Sequence, residues 1–134
     1  MQYIESQHQQ SLFAWARQPL VLKQYPELEL LYANRNTQLA KSKAAAVRIK
    51  KEGSLAGVPD IFLPVARQGY NGYYIEMKTP DLKPKTERGK RGGLSDEQLI
   101  IFPKLITQGY KVKVAYSWTE AKDFLESYLA QHNK

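Results

Sequence analysis

Four stretches of the chain are marked as helical by residues that begin or end helices. Apolar residues form a clear stripe at helical spacing in the third, polar residues between Ile4 and Leu12 weaken this pattern in the first, and the second is rich in Ala and Lys. Pro19 ends the first stretch, and Gly53 follows the second in the position where glycine commonly terminates a helix. Ser95, with Gln98 three residues later, forms a capping box at the start of the third, and Ser117 begins the fourth in the same way. The pattern predicts helices over residues 2–17, 38–52, 95–108 and 117 to about 130.

Shorter runs of β-branched and aromatic residues predict strands at about 58–66, 73–79 and 111–117. The segment 26–34 begins like a helix but could equally run on into a strand. The path from the 73–79 strand through a helix to the 111–117 strand predicts a right-handed parallel crossover. We therefore expect an α/β fold in which a mixed central β-sheet is flanked by α-helices.

Three charged residues lie inside or at the head of otherwise apolar strands. Glu76 and Lys78 are two residues apart, so a strand places both on one face, and Asp60 begins the preceding strand. A carboxylate in a buried strand is costly unless it is paired or binds an ion. Two carboxylates brought together favour a hard divalent cation such as Mg²⁺. A simple Glu76–Lys78 or Asp60–Lys78 ion pair at a sheet edge is the alternative.

The connection between these two strands decides whether the charges share a face. A two-residue turn at Asn71-Gly72 would place Asp60 on the opposite face from Glu76. We therefore predict an odd-length loop or a bulge, with Asp60 opposite Lys78 and Phe62 opposite Glu76.

The composition, 134 residues with 43% hydrophobic and 25% charged residues, is that of one soluble globular domain. The chain has no cysteine, which excludes disulfides and thiolate metal sites and fits a reducing compartment. No apolar run reaches the ~18 residues of a membrane span, and residues 1–10 do not resemble a signal peptide. We expect a cytoplasmic protein that does not contact membranes.

Other kinds of site find no support in the sequence. There is no phosphate-binding G-x-x-x-x-G-K-[ST] loop, and the serines lack an accompanying His-Asp pattern. His8 and His132 have no ligand-like partners, so we predict that both lie at the surface.

The net charge of +7 is concentrated in the 38–52 helix with the residues just before it, and in the loop 80–93. Such clustering indicates a polyanionic partner, although Lys and Arg could instead simply solvate a helix and a loop. If the partner is DNA, these residues would contact phosphates with little sequence preference. The predicted DNA-contacting residues are Arg35, Lys41, Lys43, Lys50, Lys83, Lys85, Arg88, Lys90 and Arg91.

The combination of Pro59-Asp60 with Glu76-Met77-Lys78 resembles the motif of the PD-(D/E)XK nuclease superfamily. The surrounding segments, GVPDI at 57–61, YIEMKT at 74–79 and GYKV at 109–112, narrow the resemblance to the VRR-NUC family over roughly residues 1–117. This resemblance implies a restriction-endonuclease-like core, one nuclease domain over residues 1–134, and metal-dependent phosphodiester hydrolysis with Mg²⁺, for which Mn²⁺ would substitute.

The resemblance also assigns roles to individual residues. Asp60, Glu76, the main-chain carbonyl of Met77 and, on the first helix, Glu5 would be metal ligands. Lys78 would act at the attacking water. Gln98 would orient water or phosphate, although the capping box with Ser95 is by itself enough to explain a glutamine at this position. Glu5 could likewise be an ordinary exposed helix acid.

The chain resembles the small stand-alone family members of phage and bacteria, which are similar to dimeric Holliday-junction resolvases. The resemblance therefore implies a homodimer that cuts branched DNA. A nuclease that prefers flaps or nicks, and a non-catalytic nucleic-acid-binding protein on the same scaffold, are the alternatives.

Overall fold

The computed structural model describes residues 4–34, 41–85 and 91–130. Helices and strands alternate in an α/β arrangement, with short 3₁₀ turns at Pro26–Leu30 and Pro80–Leu82. The strands are β1 (Tyr32–Ala33), β2 (Ile61–Leu63), β3 (Tyr73–Met77) and β4 (Lys111–Ala115). The helices are α1 (Glu5–Ala16), α2 (Pro19–Gln24), α3 (Lys43–Lys51), α4 (Asp96–Thr107) and α5 (Trp118–Leu129). Within the described ranges, no helix has the length and apolar character needed to cross a membrane.

The described strands form one mixed sheet in the order β1-β2-β3-β4. β1 pairs with β2 and β2 with β3 in antiparallel fashion, whereas β3 and β4 are parallel and are connected through α4. The predicted capping box begins α4, because the Ser95 hydroxyl accepts from the Gln98 amide at 3.2 Å and Gln98 Oε1 accepts from the Ser95 amide at 2.9 Å. The predicted mixed α/β fold and the parallel crossover are therefore confirmed.

One face of the sheet forms the hydrophobic core with α1 and α5. Alternate residues of β2 and β3 point into it, and Ile61, Ile75 and Met77 are all fully buried. From α5, the ring of Tyr128 contacts that of Tyr73 with 4.8 Å between centroids. Because this face is occupied by the core, the intervening side chains of β2 and β3 point to the opposite face, where the charged residues lie.

The elements differ from the sequence prediction mainly at their ends. The 58–66 strand shortens to β2, since Pro59 and Pro64, on either side of it, have no amide hydrogen to donate to a sheet. Pro19 ends α1 as expected, but it also begins the short helix α2, which the sequence analysis missed, because proline is favoured in the first turn. The ambiguous segment 26–34 contains both a 3₁₀ turn and the strand β1.

The prediction that His8 lies at the surface is wrong. Its side chain is 7% exposed, and its Nδ1 accepts a hydrogen bond of 3.0 Å from the Trp118 amide at the start of α5. Its position near the N-terminus suggested exposure, but α1 packs along α5, and this packing buries the His8 side chain. His132 lies outside the described residues.

Candidate active site

The pairing of β2 with β3 places Asp60 and Glu76 on the same face of the sheet. Ile61 is opposite Ile75 and Leu63 is opposite Tyr73, so the connection runs from residue 64 to 72 and has an odd length, as predicted. The prediction that Asp60 lies opposite Lys78 is wrong by two residues, because continuing this register sets Asp60 opposite Glu76. A shift of two residues keeps each side chain on its face, so the convergence of the two carboxylates survives the error.

Main-chain amides of the two neighbouring strands donate hydrogen bonds to both carboxylates. The Asp60 amide donates to Glu76 Oε1 at 3.2 Å, and the Met77 amide donates to Asp60 Oδ2, also at 3.2 Å. This reciprocal pair fixes both side chains where the two strands meet.

Glu5 brings a third carboxylate from the first turn of α1. The side chain of Gln7 anchors this turn, because its Oε1 accepts from the Ile4 amide at 2.8 Å. One carboxylate oxygen from each of Glu5, Asp60 and Glu76 lies within 4.8 Å of the others. We call these three residues the acidic triad. They are the three acids that the family resemblance named as metal ligands.

A single cation, Lys78, is in contact with the triad among the described residues. Its Nζ lies 3.3 Å from Glu76 Oε2, and the side chains of Lys78 and Glu76 are only 12% and 3% exposed. The Lys78 amide donates to the Ala115 carbonyl at 2.8 Å, which fixes its main chain beside β4. The Glu76–Lys78 ion pair, which the sequence offered as the alternative to a metal site, is thus present, but one ammonium faces three carboxylates.

Burial, and the negative charge of neighbouring acids, disfavour the ionised forms of the triad. Burial raises the pKa of Glu76 to about 8, and the neighbouring Asp60 adds to the shift while Lys78 opposes it. Burial also raises the pKa of Asp60, against the effect of the Met77 hydrogen bond. The pKa of Glu5 is raised by burial and by Asp60. The protein groups in the described ranges therefore do not fully compensate the negative charge of the three carboxylates, whereas a divalent cation would.

The triad opens into a cavity of about 330 Å³. Lys78, Gln98 at the start of α4, and Lys50 from α3 also line it. Gln98 thus has both of the features weighed from the sequence, since its carbonyl oxygen caps α4 while the residue borders the cavity.

The loop between α3 and β2 is pressed against α4 and closes one side of the cavity. Gly57 has a φ of +92°, and a β-carbon there would lie 2.5 Å from the main-chain oxygen of Glu97. Only glycine combines this backbone conformation with so close an approach. Gly57 therefore sets the position from which the chain reaches Asp60.

Asn34 is a site residue that the sequence analysis missed. Its Nδ2 donates to the Pro59 carbonyl at 2.9 Å and its amide donates to the Asp60 carbonyl at 2.6 Å, so it holds the main chain on both sides of the Pro59-Asp60 bond. Asn34 also lines the cavity. The sequence feature that could have indicated this role is the position of Asn34 directly after a strand candidate, where an amide side chain often hydrogen-bonds to a neighbouring main chain.

Comparisons with known proteins identify the family and support the fold. The family model of the VRR-NUC domain matches residues 3–118. The chain belongs to the VRR-NUC family. This is a nuclease-type family, so the chain carries a nuclease-type domain. A solved structure described as a VRR_NUC domain protein is 21% identical and has a TM-score of 0.72, over 99% of this chain and 93% of that one, and it shows the same fold. No curated protein matches the chain.

The predicted DNA-contacting residues take different positions around this VRR-NUC domain. Lys50 borders the cavity, and Lys41, Lys43 and Lys85 are exposed. Two others have acidic partners: Lys83 Nζ lies 2.9 Å from Glu120, and Arg91 lies 2.7 Å from Asp96. Arg35, Arg88 and Lys90 lie outside the described residues.

Proposed function

We propose that the protein is a divalent-metal-dependent DNA endonuclease that hydrolyses phosphodiester bonds. The observation that carries this proposal is the acidic triad with Lys78, together in one cavity of a VRR-NUC domain. We further propose that residues 1–134 form this single domain. We also propose that the protein acts in a reducing compartment such as the cytoplasm, because the chain lacks cysteine.

The residues present fit a hard divalent cation. Mg²⁺ prefers a few carboxylate oxygens and keeps positions for water and phosphate oxygens. Asp60, Glu76 and Glu5 would supply carboxylates, and the main-chain carbonyl of Met77, between Glu76 and Lys78, would be a further ligand. We propose Mg²⁺ as the cofactor, with Mn²⁺ as a substitute. A bound cation of this kind polarises a phosphoryl oxygen and makes a bound water more acidic.

The remaining polar residues of the cavity serve the attacking water and the phosphate. We assign Lys78 to orient or deprotonate the water, or to stabilise the negative charge that develops on the phosphate. Its position within 3.3 Å of Glu76 holds the ammonium beside the triad. Gln98 keeps an amide NH₂ group for water or phosphate after its carbonyl oxygen is used in the helix cap. Lys50 supplies a positive charge for a flanking phosphate.

Branched DNA is the substrate we propose, with a Holliday junction as the preferred form and a homodimer as the active species. A two-fold dimer would present two such sites to symmetric strands of a junction. The dimer is supported by apolar side chains that α4 leaves exposed, Leu99 at 42%, Ile100 at 57% and Ile106 at 54%, since homodimer interfaces bury surface of this kind.

The proposal is tested by assaying the wild type and Lys78→Ala on four-way, flap, nicked and linear DNA with Mg²⁺ or Mn²⁺. We expect the wild type to cut the four-way junction fastest, and Lys78→Ala to bind it but cut at least about 100-fold more slowly, the lower range for a proton-transfer group. Faster cutting of flaps or nicks would replace the junction preference. Binding without cutting by the wild type in either metal would establish a non-catalytic protein instead.

A further inference from the structure

Four aromatic rings form a row across the sheet. Tyr32 on β1, Phe62 on β2 and Tyr74 on β3 occupy consecutive partner positions, and Tyr110 directly precedes β4. The Phe62 and Tyr74 rings stack with 4.2 Å between centroids. Tyr110 meets Tyr74 edge-on at 5.3 Å, and Tyr32 meets Phe62 edge-on at 6.0 Å. We call these residues the aromatic row.

The aromatic row adjoins the acidic triad on the same face of the sheet. Phe62 follows Asp60 by two residues on one strand, and Tyr74 precedes Glu76 by two residues on the next. Two residues along a strand keep the same face and span about 7 Å. A strand of DNA with one phosphate at the triad would therefore meet the rings with a neighbouring nucleotide.

The row is accessible from the edge of the sheet. Tyr32 is 47% exposed, and the other three rings are half-buried. Burial raises the pKa of Tyr74, and the ionisable groups that add to this shift are two tyrosines of the row, Tyr110 and Tyr32. Gly72 makes room for the ring of Phe62, because a β-carbon at this position would lie 2.9 Å from it. The rings are thus held by each other and by the sheet, and Tyr32 remains open at the edge.

We propose that the aromatic row is a stacking platform for the base of an unpaired nucleotide next to the phosphate held at the triad. This inference rests on the proposed function and specifies its substrate as DNA with unpaired or splayed bases beside the point of cleavage. Every base has a π-face and stacks on aromatic side chains with little sequence preference. In continuous duplex these faces are covered by neighbouring base pairs, so the platform would distinguish branched or gapped DNA from intact duplex.

The test replaces Tyr32. Because this side chain is exposed, its replacement should not disturb folding. Tyr32→Leu keeps apolar surface but removes the ring, and Tyr32→Phe keeps the ring. Leu20→Ala, at a side chain 80% exposed on α2, is a control for a surface change outside the row. Dissociation constants are measured in the Lys78→Ala background for DNA with an unpaired nucleotide at the cleavage point and for a matched continuous duplex. Cleavage of both DNAs is measured with Lys78 intact.

We expect Tyr32→Leu to weaken binding of the unpaired DNA roughly 5- to 100-fold, the effect of losing one stacked base. Its binding of the duplex should be unchanged, and Tyr32→Phe and Leu20→Ala should match the parent protein on both DNAs. In the cleavage assay kcat/KM should fall for the unpaired substrate alone.

If Tyr32→Leu loses equal affinity for both DNAs, or loses none for either, the stacking platform is refuted. The proposed nuclease function would still stand in that case, provided that the wild type cleaves DNA. Sedimentation of the wild type and Tyr32→Leu tests a second way in which the platform could be wrong. If the wild type is a dimer and Tyr32→Leu is a monomer, the row is an interface between copies of the chain. A wild type that cleaves no DNA would refute the proposed function itself.

Discussion

Glu76 is the residue in which burial and charge conflict most strongly. Its side chain is 3% exposed, yet it shares its surroundings with Asp60 and Glu5, and the described part of the chain gives it one ammonium partner. Buried carboxylates are stable only when they are neutral, paired or bound to a cation. The raised pKa of Glu76 expresses this conflict. A bound dication would remove the conflict between burial and negative charge. The free energy of unfolding should therefore depend both on the bound cation and on pH.

Without metal, the stability of the protein should fall as pH rises from about 4.5, the ordinary value for glutamate, to about 8, the pKa of Glu76 in the fold. The folded state binds the proton more tightly than the unfolded chain in this window, so raising the pH favours unfolding. The raised pKa values of Asp60 and Glu5 act in the same direction. Added Mg²⁺ or Mn²⁺ should stabilise the protein more at pH 8 than at pH 6, because cation binding requires deprotonated ligands.

Thermal unfolding with a chelator and with each cation, at several pH values, measures both effects. At 100-fold excess over the dissociation constant the cation should add about 2.7 kcal/mol. Glu76→Gln removes the titrating group and should flatten the pH dependence and reduce the stabilisation by metal. An unchanged pH slope in Glu76→Gln would show that this carboxyl does not titrate as described.

At this scale side-chain alternation, with an odd-length connection, predicted that Asp60 and Glu76 share a face, whereas Glu5 was named only by the family resemblance. The role of Asn34 was not predictable in this way. Its bonds to Pro59 and Asp60 exist only because β1 lies beside β2, a pairing between residues far apart in the chain. The pairing error of two residues has a similar origin, since a long loop does not fix register as a tight turn does.

At the scale of elements, the packing of the α3–β2 loop on α4 forms one wall of the site. Capping residues predicted both α4 and α5, because a cap is a local interaction between residues three apart. The contact of Gly57 with Glu97 is not local, and the sequence showed only a glycine near Pro59.

We expect Gly57→Ala to destabilise the protein by roughly 2–4 kcal/mol, because it combines a strained backbone with a clash against the main chain of α4. The matched control is Gly53→Ala, where φ is +106° but nothing lies within 4 Å of the added carbon. Backbone strain alone should cost this control about 1 kcal/mol. Urea unfolding measures both variants. Equal losses would mean that the loop does not need its close approach to α4.

At the scale of the whole molecule, the net charge of +7 and the acidic triad act on the same ligand in different ways. Basic residues attract a polyanion at long range, whereas the triad repels it unless a cation is bound. Within the described ranges, Lys83 and Arg91 are already paired with acids, while Lys50 borders the cavity. The charge count therefore predicted a polyanionic partner but not which basic residues remain available to it.

Titration of Mn²⁺ into the wild type, Asp60→Asn and Asp81→Asn measures whether the acidic triad holds a divalent cation. Asp81 is an exposed acid in the Pro80–Leu82 turn and serves as the matched control for the loss of one carboxylate. We predict that the wild type and Asp81→Asn bind Mn²⁺ equally. Asp60→Asn should bind it at least about 10-fold more weakly, since even the loss of a residue that only supports a ligand costs this much. Equal Mn²⁺ affinity in Asp60→Asn and the wild type would mean that the triad does not bind the cation.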